Sequence, residues 1–164
     1  MIPSIRKLTS PQRTPQTNLR LGAALAFIAG ATNAGGFLAV GQYTSHMTGI
    51  VSLVADNIAL GNLALALTGV SSLCAFIAGA VCSSVMVTWA KRRRLRSQFA
   101  LPLLLEASLL LFFGLLGATL HEQRTFLLPE TVIVLCFTMG LQNALITRIS
   151  QSEIRTTHVT GLVT

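Results

Sequence analysis

The stretch "YTSHMTGIVS", Tyr43 to Ser52, is written a second time as "RTTHVTGLVT", Arg155 to Thr164. Further upstream, "GATNA" (Gly30 to Ala34) has a counterpart in "GLQNA" (Gly140 to Ala144). His46 follows Asn33 by 13 residues, and His158 follows Asn143 by 15. The shared unit is G-x-x-N-A, a loop, then T-x-H-[MV]-T-G-[IL]-V-[ST], with a period of about 110 residues. Several identities in fixed order point to a chain built from two related halves. What those halves look like depends on the solvent around them.

Composition decides the solvent. Of 164 residues, 52% are hydrophobic and only 10% charged, against about a quarter charged in soluble domains. So little polar surface cannot cover a water-soluble globule of this size, and a lipid bilayer removes the problem. The formal net charge is +7. The basic residues sit in short clusters between apolar runs, which suits membrane orientation and not nucleic-acid binding. Cys74, Cys82 and Cys136 all lie inside apolar runs and read as small packing residues. There is no Ser-His-Asp order, no paired-cysteine ligand set, no H-E-x-x-H and no phosphate loop. The expectation is therefore no enzyme, no catalytic residue, no metal and no cofactor.

The apolar runs give the spans. Residues 1–20 are polar and basic, without an acid, and read as a disordered cytoplasmic tail. Residues 21–164 form the transmembrane domain, with repeat one over about 21–126 and an incomplete repeat two over about 127–164. Leu21–Val40 is a first crossing of 20 uncharged residues, the length that traverses the hydrocarbon. Ala26, Gly30 and Ala34 predict a flat packing face on it. Met47–Leu60 has 14 residues, too few to cross comfortably. Leu63–Ala90, Phe99–Leu120 and Leu127–Thr147 are further crossings. Ala75, Gly79 and Ser83 form a second small-residue stripe on the first of these three.

Charge then orders the topology. Five of the six residues Lys91–Arg96 are basic, so that loop belongs in the cytoplasm, as does the basic N-terminus. Both conditions hold only if Met47–Leu60 enters the membrane and returns on the same side. Such irregular backbone is tolerated at membrane depth only when buried in protein or lining a cavity. The fold expected is all-α: a polytopic transmembrane helical bundle of four crossings with re-entrant half-helices and an internal, inverted repeat.

Inverted repeats with broken helices characterise secondary transporters, whose sites lie where the repeats meet. A half-helix starting inside protein offers free N–H groups and a partial positive charge. Thr44 or Ser45 would cap the first such helix, and Thr156 or Thr157 the second. The expected substrate or ion site therefore includes His46, Thr48 and Gly49 from one tip, and His158, Thr160 and Gly161 from the other. Asp56, Glu106 and Asn143 join them as polar groups in apolar segments. An acid at mid-bilayer costs about 2.5–3.5 kcal/mol on insertion scales, so Glu106 should face the bundle interior and find a partner.

"FLAVGQYTSHMTGIVSLVAD", "LLLEASLLL" and "ISQSEIRTTHVTG" resemble the YoaK family, multi-pass proteins of the bacterial inner membrane without a settled activity. The resemblance covers nearly all of the chain after about residue 20. It implies a bacterial inner-membrane location, and further spans after the second phrase, so that this chain ends inside its second repeat. The partners expected are the lipid bilayer and a small solute or ion, with no nucleic acid; oligomeric state stays open. Two functions remain: a small-solute or ion permease, and a non-transporting assembly partner or sensor. The topology makes a direct prediction. A cysteine replacing Leu60 is labelled by impermeant thiol reagents from outside only, and one replacing Arg96 from the cytoplasm only. Labelling of position 60 from the cytoplasm would make the halves parallel copies.

Overall fold

The computed structural model of the protein describes residues 15–41, 44–95, 97–119 and 124–149. The second copy of the phrase, with His158, Thr160 and Gly161, lies outside these residues. Five helices and no strand occur among them: α1 Pro15–Val40, α2 Met47–Ala59, α3 Leu63–Arg92, α4 Ala100–Thr119 and α5 Arg124–Ile149. Three carry stretches long and apolar enough to cross a bilayer: Leu19–Leu38, Leu63–Arg92 and Glu130–Ile149. The apolar surface is extensive, with Phe27, Leu38, Leu67, Val85, Leu111 and Leu115 all exposed. An exposed apolar surface of this kind is stable in lipid and not in water. The chain is an all-helical membrane protein.

α1 begins at Pro15, six residues before the expected Leu21 and inside the stretch read as a tail. Proline suits a first helical turn, where its missing N–H is not needed and its φ is already helical. α2 and α3 are joined by a tight turn in which Gly61 takes φ +75°. Asn62 N–H closes back on Asn57 O at 2.8 Å. At the other end of α3, Arg94 takes φ +52° as Leu95 N–H reaches Ala90 O at 3.0 Å. Both are helix stops with a left-handed residue just past the end.

α5 is the hub. Leu135, Cys136, Met139, Leu141, Leu145 and Ile146 are all buried on it, and α1, α3 and α4 pack around it, with α2 against α3. The closest approach is between α3 and α5. A methyl group added to Gly79 would overlap the carbonyl oxygen of Phe137, and one added to Gly140 would overlap that of Phe76. Backbone rests directly on backbone, the arrangement that small residues permit in lipid. The expected stripe on α3 is therefore real, with Gly79 and Ser83 buried in this contact. The stripe expected on α1 is not: Ala26, Gly30 and Ala34 face outward, and nothing lies within 4 Å of a methyl added to Gly30. The inward face of α1 is instead Leu21, Leu25, Ala29, Thr32 and Gly36. The two stripes differ by roughly a 100° turn of the helix.

Contacts also fix the helix directions. Phe76 meets Gly140, and further along both helices Arg148 Nη1 donates to Thr88 Oγ1 at 3.2 Å, so α3 and α5 are parallel. α1 is antiparallel to them, since Gly36 meets Leu135 while Gln142 Nε2 donates to Leu25 O at 3.0 Å. α4 is antiparallel too, because Phe99 joins Leu145, Ile146 and Ile149 in one cluster near the end of α5. Arg20, Lys91, Arg92 and Arg148 therefore gather at one end of the bundle, and the α2–α3 turn stands at the other.

The crossing predicts a contrast between two glycines. Gly140→Ala forces α3 and α5 apart and lowers stability by about 1–3 kcal/mol, the range for overpacking. Gly30→Ala has open space and better helix propensity, worth up to about 1 kcal/mol. Thermal unfolding in detergent should shift down for the first and hold or rise for the second.

Candidate functional site

The loop between α1 and α2 does not simply leave the bundle. Val40 ends α1, yet four residues later Thr44 is fully buried and back beside Asn33. The side-chain oxygen of Asn33 accepts from Thr44 N–H at 3.1 Å and from Ser45 N–H at 3.3 Å, with Thr44 Oγ1 at 3.5 Å. Asn33 lies seven residues before Val40, so the chain turns back by about 10 Å of helix. Thr44 settles beside Gly36, where an added methyl would stand 3.8 Å from it and only 3.2 Å from Leu135 Cδ1.

α2 therefore begins inside the bundle's length and runs toward the end where α1 stopped. It lies antiparallel to α3: Gly69 faces Ile50 and Val54. His46, Gly49, Ile50 and Leu53 line a cleft of about 240 Å³ with Leu65, Thr68, Gly69 and Ser72. Ser72 is nine residues into α3, about 14 Å from its start. Two independent neighbours, Asn33 and Ser72, thus set the tip of α2 at a similar depth. The cap position is His46, with φ −86° and ψ 68°, and no side chain caps the helix. That corrects the expectation that Thr44 or Ser45 caps it. Their backbone N–H groups are taken by Asn33, which fixes the loop and not the helix. In the first turn of α2, Met47 N–H donates to Ser45 O at 3.1 Å and Ile50 N–H to His46 O at 3.0 Å, and Gly49, between them, lines the cleft.

A second polar locus lies nearer the basic end. Glu106 on α4 is 3% exposed, and the side chain of Gln142 on α5 is its polar neighbour. Gln142 is itself buried and bonded to Leu25 O on α1. Three buried oxygens have no hydrogen-bond partner among the described residues: Glu106 Oε2, Gln142 Oε1 and Ser83 Oγ. Leaving such groups unsatisfied costs about 1–3 kcal/mol each, and more when charged. Glu106 is the one buried acidic or basic side chain among the described residues.

The sequence-chosen residues separate into two groups. His46 and Gly49 line the cleft, and Thr48 is exposed beside them. A methyl on Gly49 would meet only His46 Cβ, at 3.9 Å, so packing does not require glycine there. Asp56 is exposed near the far end of α2, whereas its neighbour Asn57 is buried and donates to Leu53 O at 2.7 Å. Asn143 is half-buried on α5. Glu106 is in the other locus, and Leu25 and Asn33, on the same helix, place the two loci about 12 Å apart. Gln142 and Ser83 were not selected from sequence. A signal for Gln142 existed: it shares a helical face with Leu135, Met139, Leu145 and Ile146, so it had to point inward. Among the described residues, no group of three His, Cys, Asp or Glu could hold a metal. A larger groove of about 610 Å³ runs along α3 past Ile77, Val81, Val85 and Trp89 to Arg92 and Arg148, and it contains none of the candidates.

No curated protein and no solved structure matches the chain. A family model described as "Protein of unknown function (DUF1275)" matches residues 21–164. That match takes in all of α2 to α5, most of α1, both copies of the repeated phrase and both polar loci, so the chain belongs to the DUF1275 family.

Proposed function

We propose that this chain is a small-solute or ion permease of the bacterial inner membrane, with its substrate site at the tip of α2. The single observation that carries the reading is the backward turn at Thr44. It sets a helix N-terminus and an imidazole beside a cleft partway along an otherwise apolar bundle. A positive helix end at that depth suits an anionic or polar group of a solute. In this reading α2 is re-entrant and α4 is the fourth crossing, of 20 residues. The clustering of Arg20, Lys91, Arg92 and Arg148 at one end supports a cytoplasmic location for that end, and so for the N-terminus. The second phrase would then build the facing tip from the opposite side, with His158, Thr160 and Gly161. Glu106 is the coupling group, since a carboxyl inside a bundle usually marks an ion or proton path. The residues of the His-Met-Thr-Gly phrase support placing the chain among the YoaK-like members of its family.

Flux of radiolabelled solutes into proteoliposomes tests this. His46→Ala and Glu106→Gln should each lower uptake at least about tenfold, as expected when a polar contact to solute or ion of about 1.4 kcal/mol or more is lost. Unchanged flux in both removes them from the mechanism. Absence of any flux, with the protein copurifying tightly with another membrane protein, favours an assembly partner or sensor. Asn33 gives a further check. Asn33→Asp keeps the acceptor for Thr44 and Ser45 and should preserve uptake, whereas Asn33→Leu should free the loop. In the second variant, a cysteine replacing Thr44 should react with maleimide at least about tenfold faster, because its backbone anchor is gone.

A further inference from the structure

The groove of about 610 Å³ along α3 lies apart from both polar loci. Its wall is a row at four-residue spacing, Ile77, Val81, Val85 and Trp89, all exposed. Beside it runs a second row with small side chains at Ala80, Ser84 and Thr88, which ends at Arg92. A row of small residues next to a row of large ones makes a channel along a helix. From Thr88 back to Phe76 the channel extends about 18 Å, near the depth of one leaflet's hydrocarbon, about 15 Å. Its end is cationic, because Arg92 of α3 and Arg148 of α5 both line it. Arg148 Nη1 donates to Thr88 Oγ1 at 3.2 Å and to Ser84 O at 3.4 Å, which holds the guanidinium against α3. That leaves Nε and Nη2, whose parallel N–H bonds form an edge that grips a phosphate with two hydrogen bonds. The acids among the described residues lie elsewhere. Asp56 is near the α2–α3 turn, Glu130 precedes Arg148 by eighteen residues, and Glu106 is buried beside Gln142. Trp89, the chain's single tryptophan, stands at the cationic end with Arg93 5.9 Å from its ring centre. Tryptophan favours the level of the headgroups.

We propose that this groove holds an acidic phospholipid of the surrounding bilayer, with its phosphate on Arg148 and Arg92 and one acyl chain along Ala80 and Ser84. Charge selects the headgroup. Two arginines without a carboxylate beside them favour a lipid of net negative charge, whereas a zwitterionic lipid brings a cation of its own to the same place. Basic pockets between transmembrane helices suit acidic headgroups for this reason. Shape selects the tail. A helix of another protein is about 10 Å across, too wide for a channel one side chain deep, and an extended acyl chain is narrower. A lipid seated here touches α3 along its length and α5 through Arg148. It ties the two central helices together at the basic end, beyond the glycine contact. The assignment does not rest on the permease reading.

Trp89 supplies the probe. The full chain is reconstituted in phosphatidylcholine bilayers at fixed ionic strength, with the same small fraction of either phosphatidylglycerol or phosphatidylcholine brominated on the upper acyl chain. Bromine quenches tryptophan only at close range, so quenching reports the lipid in the groove. Brominated phosphatidylglycerol should quench with at least about fivefold higher apparent affinity, the worth of one basic contact near the surface. Arg148→Ala and Arg92→Ala should each remove most of that preference. The Arg92 variant keeps the test valid if loss of the Arg148 bonds to α3 unseats α5. Ala80→Leu, which fills the channel, should lower quenching by phosphatidylglycerol. Lys91→Ala and Arg94→Ala, at the same end but outside the groove, should leave the preference nearly unchanged. Equal quenching by the two lipids overturns the proposal. So does a preference that falls as much with Lys91→Ala as with Arg148→Ala, which would assign it to diffuse attraction. Absence of quenching by either lipid overturns it too, since protein would then cover the groove.

Discussion

The structure depends on the contact of backbone with backbone between α3 and α5. In lipid, helices gain nothing from hiding apolar side chains from water, so close packing has to hold them together. Gly79 and Gly140 allow that packing by each leaving room for the other helix's carbonyl, at Phe137 and Phe76. Once α5 is seated there, its remaining faces receive α1 and α4. Gln142 lies two residues past Gly140, about 200° round the helix, so it faces away from α3 and is covered by α1, through Leu25 O, and by α4, through Glu106.

The loop at Thr44 obeys a different constraint. Away from water each backbone N–H needs an acceptor, and a chain that reverses inside a bundle exposes several. Asn33 supplies one oxygen to two of them. A hydrophobic residue at position 33 could not, and α2 would have no fixed starting depth. Asparagine in an apolar helix is usually read as glue between helices. Here it joins a helix to its own following loop, which is why its effect is on the position of α2 and not on the crossing angle of two spans.

Much of this was legible in the sequence. Leu, Ala, Val and Ile runs of 20 residues or more state both helix and lipid, because each alone meets the length and composition that a bilayer demands. The Gly61 and Arg94 stops lie where the apolar runs break. The small-residue stripe at Gly79 and Ser83 could be found by spacing, but the same rule failed at Ala26, Gly30 and Ala34. Spacing identifies a stripe without saying which way the helix is turned. That rotation is set by neighbours, and on α1 it is Leu25 and Ala29 that are buried. Burial of Glu106 followed from its cost in lipid; its partner Gln142 did not, because sequence gives no measure of which residues of two distant spans share a level. The cap on α2 was misassigned for a related reason. Thr44 and Ser45 have the right chemistry, but Asn33, eleven residues upstream of Thr44, reached their N–H groups first.

The two polar loci are linked by a short path. Leu135 of α5 and Thr44 of the loop both lie beside Gly36 of α1, so the loop and α5 meet α1 at one level. Seven residues further along α5 is Gln142, about 10 Å away, bonded to Leu25 O of α1 and beside Glu106. α5 is in turn locked to α3 at the glycines, between Leu135 and Gln142 in sequence. Gly79 and Gly140 seat the backbone of α5 on that of α3 within the stretch between these two contacts, so both polar loci are built against one closely packed pair of helices.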